Sequence, residues 1–200
     1  MNVSQFMRRD PVTIRPTASL EDARQLMDEH GFGLLLVADE EGALEGFLTR
    51  GAFKSTEDLS IPVSKVRSDA RFAVSPEDTV ERAALLMLAN QLVVLPVVDE
   101  RRLVGIISQT EVLRALASAL GIGVEGTRVT VHVRPGNEDI YRVLDVLREH
   151  DAQLLSLVGD RATGNGDRRG MVLRLQGVDD RERLCRDLEA ALTASAPADA

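Results

Sequence analysis

The chain repeats itself. Val12-Thr13-Ile14-Arg15-Pro16 returns as Phe72-Ala73-Val74-Ser75-Pro76, and the period of about 60 residues is long enough for a whole supersecondary unit. The correspondence continues through Leu20, Ala23, Leu26 and Met27 against Val80, Ala83, Leu86 and Met87. That i, i+3, i+6, i+7 spacing lays one apolar stripe along a helix. Each copy is therefore predicted to carry a helix with one buried face. Ser19, ahead of Glu21 and Asp22, and Ser75, with Pro76 at the first helical position, are the expected N-caps, because a side-chain oxygen there satisfies amides that a helix start leaves free.

After each helix comes an apolar run closed by Asp, residues 34–39 and 93–99, which reads as a strand buried on both faces. Leu44-Glu45-Gly46-Phe47-Leu48-Thr49 and Leu103-Val104-Gly105-Ile106-Ile107-Ser108 follow as second strands. Each ends in a hydroxyl residue placed to cap a further helix. The unit reads β-α-β-β-α. One such unit is too small to bury its own sheet face, so two are expected to pack sheet against sheet as a pseudo-twofold pair with a cleft between them.

The Leu95-Pro96-Val97-Val98-Asp99 run and residues 103–108, in this order and spacing, resemble the second half of a tandem pair of cystathionine β-synthase (CBS) domains. The likeness covers roughly Met1 to Leu120 and implies a non-catalytic regulatory protein. Its regulatory ligand would be AMP, ADP, ATP or S-adenosylmethionine, with no obligatory cofactor. In that family a Ser or Thr closing the last strand, and an Asp three residues on, hold phosphate and ribose. A helix N-terminus offers free N–H groups to phosphate, and a carboxylate can accept both ribose hydroxyls. Carried onto this sequence, the positions are Thr49, with Ala52 where the Asp would stand, and Ser108, Thr110 and Glu111 in the second copy. Ser108 to Glu111 also spells a capping box, which needs no ligand, and both readings stay open.

The family's adenine-reading zone falls on Thr13 and Ile14 or Ala73 and Val74, and on Phe32, Gly33 and Leu34 or Leu92, Val93 and Val94, with Pro96 beside them. Gly31 reads as a helix stop, while Gly33 permits either a stop or the close approach of a base. Two functions are carried forward: a nucleotide sensor, and a ligand-free dimerisation module whose sites have degenerated, as Ala52 suggests.

Beyond Leu120 the pattern changes. Gly121 to Gly126 spells G-x-G-x-x-G, but a dinucleotide loop needs a strand before it and a helix after it. Here a helix precedes and the alternating Arg128–Val133 strand follows. Next are Pro135-Gly136, a helix with Ile140, Val143, Leu144 and Leu147 on one face, a strand from Gln153 to Val158, a turn at Gly164–Asp167, a strand from Met171 to Leu175, and a helix carrying Leu184, Leu188 and Leu192. This order resembles a ferredoxin-like ACT domain lacking its last strand, which implies a ligand loop at Pro135, Gly136 and Asn137. The missing strand leaves an edge to which a second subunit could pair. The whole order resembles the acetoin-utilisation accessory family. The expected fold is mixed α/β (α+β): CBS domains at 1–60 and 61–120, a linker at 121–127, an ACT-like domain at 128–193 and a frayed tail at 194–200.

Composition narrows the partners. A net charge of −8 and only 3% aromatic residues argue against a nucleic-acid surface, which wants clustered cations and stacking rings. Cys185 is alone, and the longest apolar runs are far below the roughly 20 residues of a membrane helix, so the expectation is a cytoplasmic homodimer with a regulated protein partner. His30, His132 and His150 are scattered and make no metal or catalytic spacing. His30 and His150 suit helix C-termini, and Cys185 shares a helix face with Leu184 and Leu188 and is expected to pack.

Overall fold

The computed structural model describes residues 1–160 and 168–193. The expected turn at Gly164–Asp167 and the tail at 194–200 lie outside them. The chain divides into two compact units, Met1–Ala115 and Leu116–Ala200.

In the first unit, β1 (Arg8–Arg9), β5 (Val94–Asp99) and β6 (Arg102–Ser108) form one sheet in the order β1-β6-β5. A second sheet has the order β2-β3-β4, with β2 (Thr13–Ile14), β3 (Leu34–Ala38) and β4 (Leu44–Thr49). β3 and β4 run antiparallel with a bulge at Val37/Ala38, and β5 and β6 repeat this with a bulge at Val97/Val98. The internal repeat of the sequence is thus a repeat of sheet geometry.

The helices follow the apolar stripes. α1 (Leu20–His30) buries Leu20, Ala23 and Met27, and α2 (Val80–Asn90) buries Val80, Ala83 and Met87. Leu26 and Leu86 are only half-buried. Ser19 caps α1, accepting the Asp22 N–H, and Asp22 returns the bond to Ser19. Gly31 closes the helix with φ +67, a left-handed conformation that glycine adopts without a Cβ clash.

Three expectations need correction. Ser75 does not cap α2. Ser75 and Asp78 exchange hydrogen bonds in a turn, and Thr79 is the cap, accepting the Arg82 N–H. A hydroxyl nearer the first buried residue wins, because only it can reach the free amides. Thr49 does not open an α-helix. Residues Arg50–Lys54 form a short 3-10 helix, and the Thr49 side chain makes no cap bond. Only the second copy has a full helix there, α3 (Gln109–Ala119). Finally, Phe72–Val74 forms no strand, only a bridge from Val74 to Val97.

The chain crosses between the two copies on both sides of residue 60. Val3 and Ser4 donate backbone hydrogen bonds to Asp78 and Pro76, and β1 pairs with β6, so the N-terminal residues complete the second copy. In the same way Val63 and Ser64 donate to Ala18 and Pro16, Ser68 bridges Phe47, and Val63 joins the core around Met27 and Leu35. Each copy finishes the other's sheet, and only the pair buries both.

The second unit places β7 (Thr127–Val133), β8 (Gln153–Asp160) and β9 (Arg169–Gln176) in one antiparallel sheet of order β7-β9-β8. α4 (Glu138–Glu149) and α5 (Arg181–Thr193) pack on it through Val143, Val146, Leu147, Leu184, Leu188 and Leu192. Val146 takes the core position expected of Leu144, which is 40% exposed. Cys185 is partly buried against this core. Gly121–Gly126 leads directly into β7, not into a helix.

Candidate functional site

Two cavities lie in the first unit, at matching places in the repeat. The smaller, of about 470 Å³, is lined by Arg8 to Val12, the entry to β3 (Phe32, Gly33, Leu34), the entry to β5 (Val93, Val94), and Thr49 and Ser108. The larger, of about 670 Å³, is lined by Arg67 to Phe72, Gln91 to Pro96, and Leu34, Leu36 and Phe47. Both volumes fall in the range of small-molecule sites, and both walls combine apolar side chains with a few polar groups.

The local sequence explains why these spaces exist. The segments that cross from one copy to the other must lie flat on the neighbouring strand. Gly105 and Gly46 allow it: a Cβ on Gly105 would come within 2.8 Å of the Arg8 carbonyl oxygen, and one on Gly46 would collide with the Ser68 carbonyl oxygen. The crossing segments therefore hug β6 and β4 and then pass the mouths of the cavities.

Of the positions expected to contact a ligand, Gly33, Leu34, Thr49, Val93, Val94 and Ser108 line the smaller cavity, and Val93, Val94, Leu34 and Pro96 line the larger. Thr13, Ile14, Ala73 and Val74 are not among the lining residues of either. Ile14 and Val74, each two residues before a Pro, are buried in the core, at 7% and 2% exposure, where they pair with Val37 and Val97. Thr110 is exposed and Glu111 is buried, and neither lines a cavity. Pro135, Gly136 and Asn137 form an exposed loop between β7 and α4, in the other unit.

Sequence reasoning missed the stretches just upstream of the repeat as it was first delimited, Arg8–Val12 and Arg67–Phe72. A signal was present. Val3-Ser4 and Val63-Ser64 match at the same period of 60, so the repeat begins about ten residues earlier than its strand motif suggests.

The polar groups differ between the cavities. In the larger, Arg67 is already neutralised: it lies 3.4 Å from the Glu45 carboxylate and 2.9 Å from that of Asp69, and it donates to the Glu45 carbonyl. In the smaller, Arg8 and Arg9 are exposed and make no ion pair among the described residues. Ser108 is engaged with Glu111, whose carboxylate accepts both its N–H, at 3.1 Å, and its hydroxyl. The hydroxyl oxygen accepts the Thr110 N–H at 3.2 Å. This is the capping arrangement, with the carboxylate 7% exposed at the positive end of α3.

Among the described residues there is no cluster of three or more His, Cys, Asp or Glu able to hold a metal, and no helix long and apolar enough to cross a membrane. His30 stacks on Phe32 at the end of α1, and His150 shares a hydrogen bond of 2.8 Å with Asp187.

The family model for the CBS domain matches residues 3–55 and 63–118, more than half of the chain. The CBS domain-containing protein YhcV of Bacillus subtilis is 34% identical over 112 residues, 54% of this chain and 79% of that protein. Inosine-5'-monophosphate dehydrogenase of Mycobacterium tuberculosis is 28% identical over 179 residues, 81% of this chain, which spans only 34% of the enzyme. Among solved structures, a CBS domain pair/ACT domain protein from Thermotoga maritima is 31% identical with a TM-score of 0.55, over 60% of this chain and 99% of that one. A protein assigned to acetoin utilization (AcuB) from Vibrio cholerae is 26% identical with a TM-score of 0.54, over 58% and 90% of the two chains. CBSX2, solved in complex with AMP, is 25% identical with a TM-score of 0.52, over 57% and 95%. With both copies matched by the family model and joined by the β1–β6 pairing, this chain belongs to the CBS-domain family.

Proposed function

We propose that this chain is a non-catalytic regulatory module of the cytoplasm whose CBS pair binds an adenine nucleotide, AMP, ADP, ATP or S-adenosylmethionine, and passes the signal to its C-terminal unit or to a partner protein. The observation that carries this reading is the smaller cavity, where the apolar entries to β3 and β5 meet Thr49, Ser108 and two arginine residues, Arg8 and Arg9, that make no ion pair among the described residues. An apolar slot suits a base and arginines suit phosphate. The AMP complex of CBSX2 supports the ligand class. The ligand must favour one arrangement of the chain over another to act as a signal.

The C-terminal unit is read as ACT-like, with Pro135, Gly136 and Asn137 as its ligand loop. Its sheet order β7-β9-β8 leaves one edge of β7 unpaired among the described strands, where a ferredoxin-like sheet would carry a fourth strand. A homodimer is part of the same reading.

A second reading, a dimerisation module without ligand, draws on Ala52 and on the capping role of Glu111, which leave neither copy a free ribose carboxylate. Thermal unfolding with and without AMP, ADP, ATP and S-adenosylmethionine separates the two. A ligand at 100 times its dissociation constant adds about 2.7 kcal/mol. An upward shift with one of the four supports the sensor, and no shift with any supports the ligand-free module.

A further inference from the structure

Glu111 occupies the anion site that the smaller cavity would otherwise offer at the start of α3. Its carboxylate takes both the N–H and the hydroxyl of Ser108, the one residue of α3's cap that lines the cavity. A phosphate arriving there meets a buried negative charge in place of free donors. Across the same cavity the consecutive β1 residues Arg8 and Arg9 both belong to the lining and are exposed, with Asp10 the single carboxylate residue lining the space. None of the three makes an ion pair among the described residues. Arginine side chains with no carboxylate partner are satisfied by an anion, and one that carries more than one charge over several oxygens can engage more than one of them.

We infer that the smaller cavity selects ligands bearing two or more linked phosphates, holding the distal phosphates on Arg8 and Arg9, and discriminates against nucleosides and monophosphates. The inference rests on the nucleotide reading of this cavity and adds a specificity to it. The larger cavity does not share that specificity. Arg67 is consumed by Glu45 and Asp69, leaving Arg71 as its one guanidinium without an ion pair among the described residues.

The test is calorimetric titration of the full chain with ATP, ADP, AMP, adenosine and inorganic tripolyphosphate, in the absence of magnesium, for the native protein and for an Arg8→Ala/Arg9→Ala double variant. Both side chains are exposed and β1 pairs through its backbone, so the variant is expected to fold, which its melting curve checks. ATP should bind at least about tenfold tighter than AMP, the preference weakening with salt, and the double variant should lose that preference, with ATP affinity falling by more than AMP affinity. AMP binding as tightly as ATP, or an ATP preference that survives the double substitution, overturns the inference and leaves the nucleotide reading intact. Tripolyphosphate binding that needs the two arginines, with no nucleotide bound, overturns the nucleotide reading and keeps the polyphosphate site. Binding of none of the five overturns both.

Discussion

Arg134 wraps the carboxylate of Asp139. Its backbone N–H, Nε and Nη2 reach the two carboxylate oxygens at 2.9, 3.1 and 2.5 Å, and Arg142 approaches to 3.7 Å. The bond closes the Pro135-Gly136-Asn137 loop over the first turn of α4. Hydrogen bonds from the Arg134 side chain hold the Asp139 carboxyl down at about 2, against an ordinary value of 3.8, although burial opposes the shift. The folded state therefore binds this proton less readily than the unfolded chain. The resulting stability, about 2 kcal/mol, is present above the ordinary value and is lost as pH falls through the folded one. Asp139→Asn should lower the stability of the C-terminal unit near neutrality by that order. Denaturation curves at a series of pH values should show the gap between native and variant closing between about pH 4 and pH 2. A gap that stays constant over this range would mean that the pair contributes nothing through charge.

Glu111→Ala removes the partner of Ser108 at the start of α3. Loss of a cap of this kind costs about 0.5–2 kcal/mol, so the melting temperature should fall. Because Glu111 is outside the lining of both cavities, nucleotide affinity should persist. If the folded variant loses affinity instead, the carboxylate holds the ribose, as the family pattern would have it.

How much of this was legible in advance depended on whether local chemistry or long-range pairing decided a feature. The stripes Leu20/Ala23/Met27 and Val80/Ala83/Met87 named the buried helix faces, since periodicity reports burial directly. The β7-α4-β8-β9-α5 order was legible for the same reason. The exchange of residues 3–9 and 63–68 between the copies was not, because segments this short have no periodicity and their pairing is set by glycines about 100 and about 20 residues away in the chain, Gly105 and Gly46. That exchange is what carries Arg8 and Arg9 to the cavity, whereas the strand motif points to Thr13 and Ala73, which line neither cavity. Ser75 misled for a simpler reason: it has the right residue type before Pro76, but Thr79 stands nearer to Val80.

α2 exposes Leu85 and Leu88, at 67% and 75%, one turn apart and therefore on one face. Their counterparts on α1 are Gln25 and Asp28. An apolar pair on one copy, where the other is polar, fits a surface covered by a second chain. Under the homodimer reading, Leu85→Glu together with Leu88→Glu should convert the dimer to a monomer, measured as molar mass by light scattering. An unchanged mass would place the interface elsewhere, the open edge of β7 being the next surface to test.

The exchanged segments give the sharpest test of the fold. Gly105 is buried against the Arg8 carbonyl oxygen and Met7, and Gly46 against the Ser68 carbonyl. A methyl group at either position must push a backbone away, because a carbonyl oxygen in a paired strand cannot rotate aside as a side-chain end can. Gly105→Ala and Gly46→Ala should each cost about 1–3 kcal/mol, read as a lower denaturation midpoint of the first unit. Gly105→Ala should also disturb the smaller cavity more than the larger, since it is β1 that moves. Gly33 supplies the control: it lines the same cavity, yet a Cβ there meets nothing within 4 Å, so Gly33→Ala should leave stability unchanged or raise it by up to about 1 kcal/mol. Equal effects at all three positions would show that close strand approach is not what these two glycines provide.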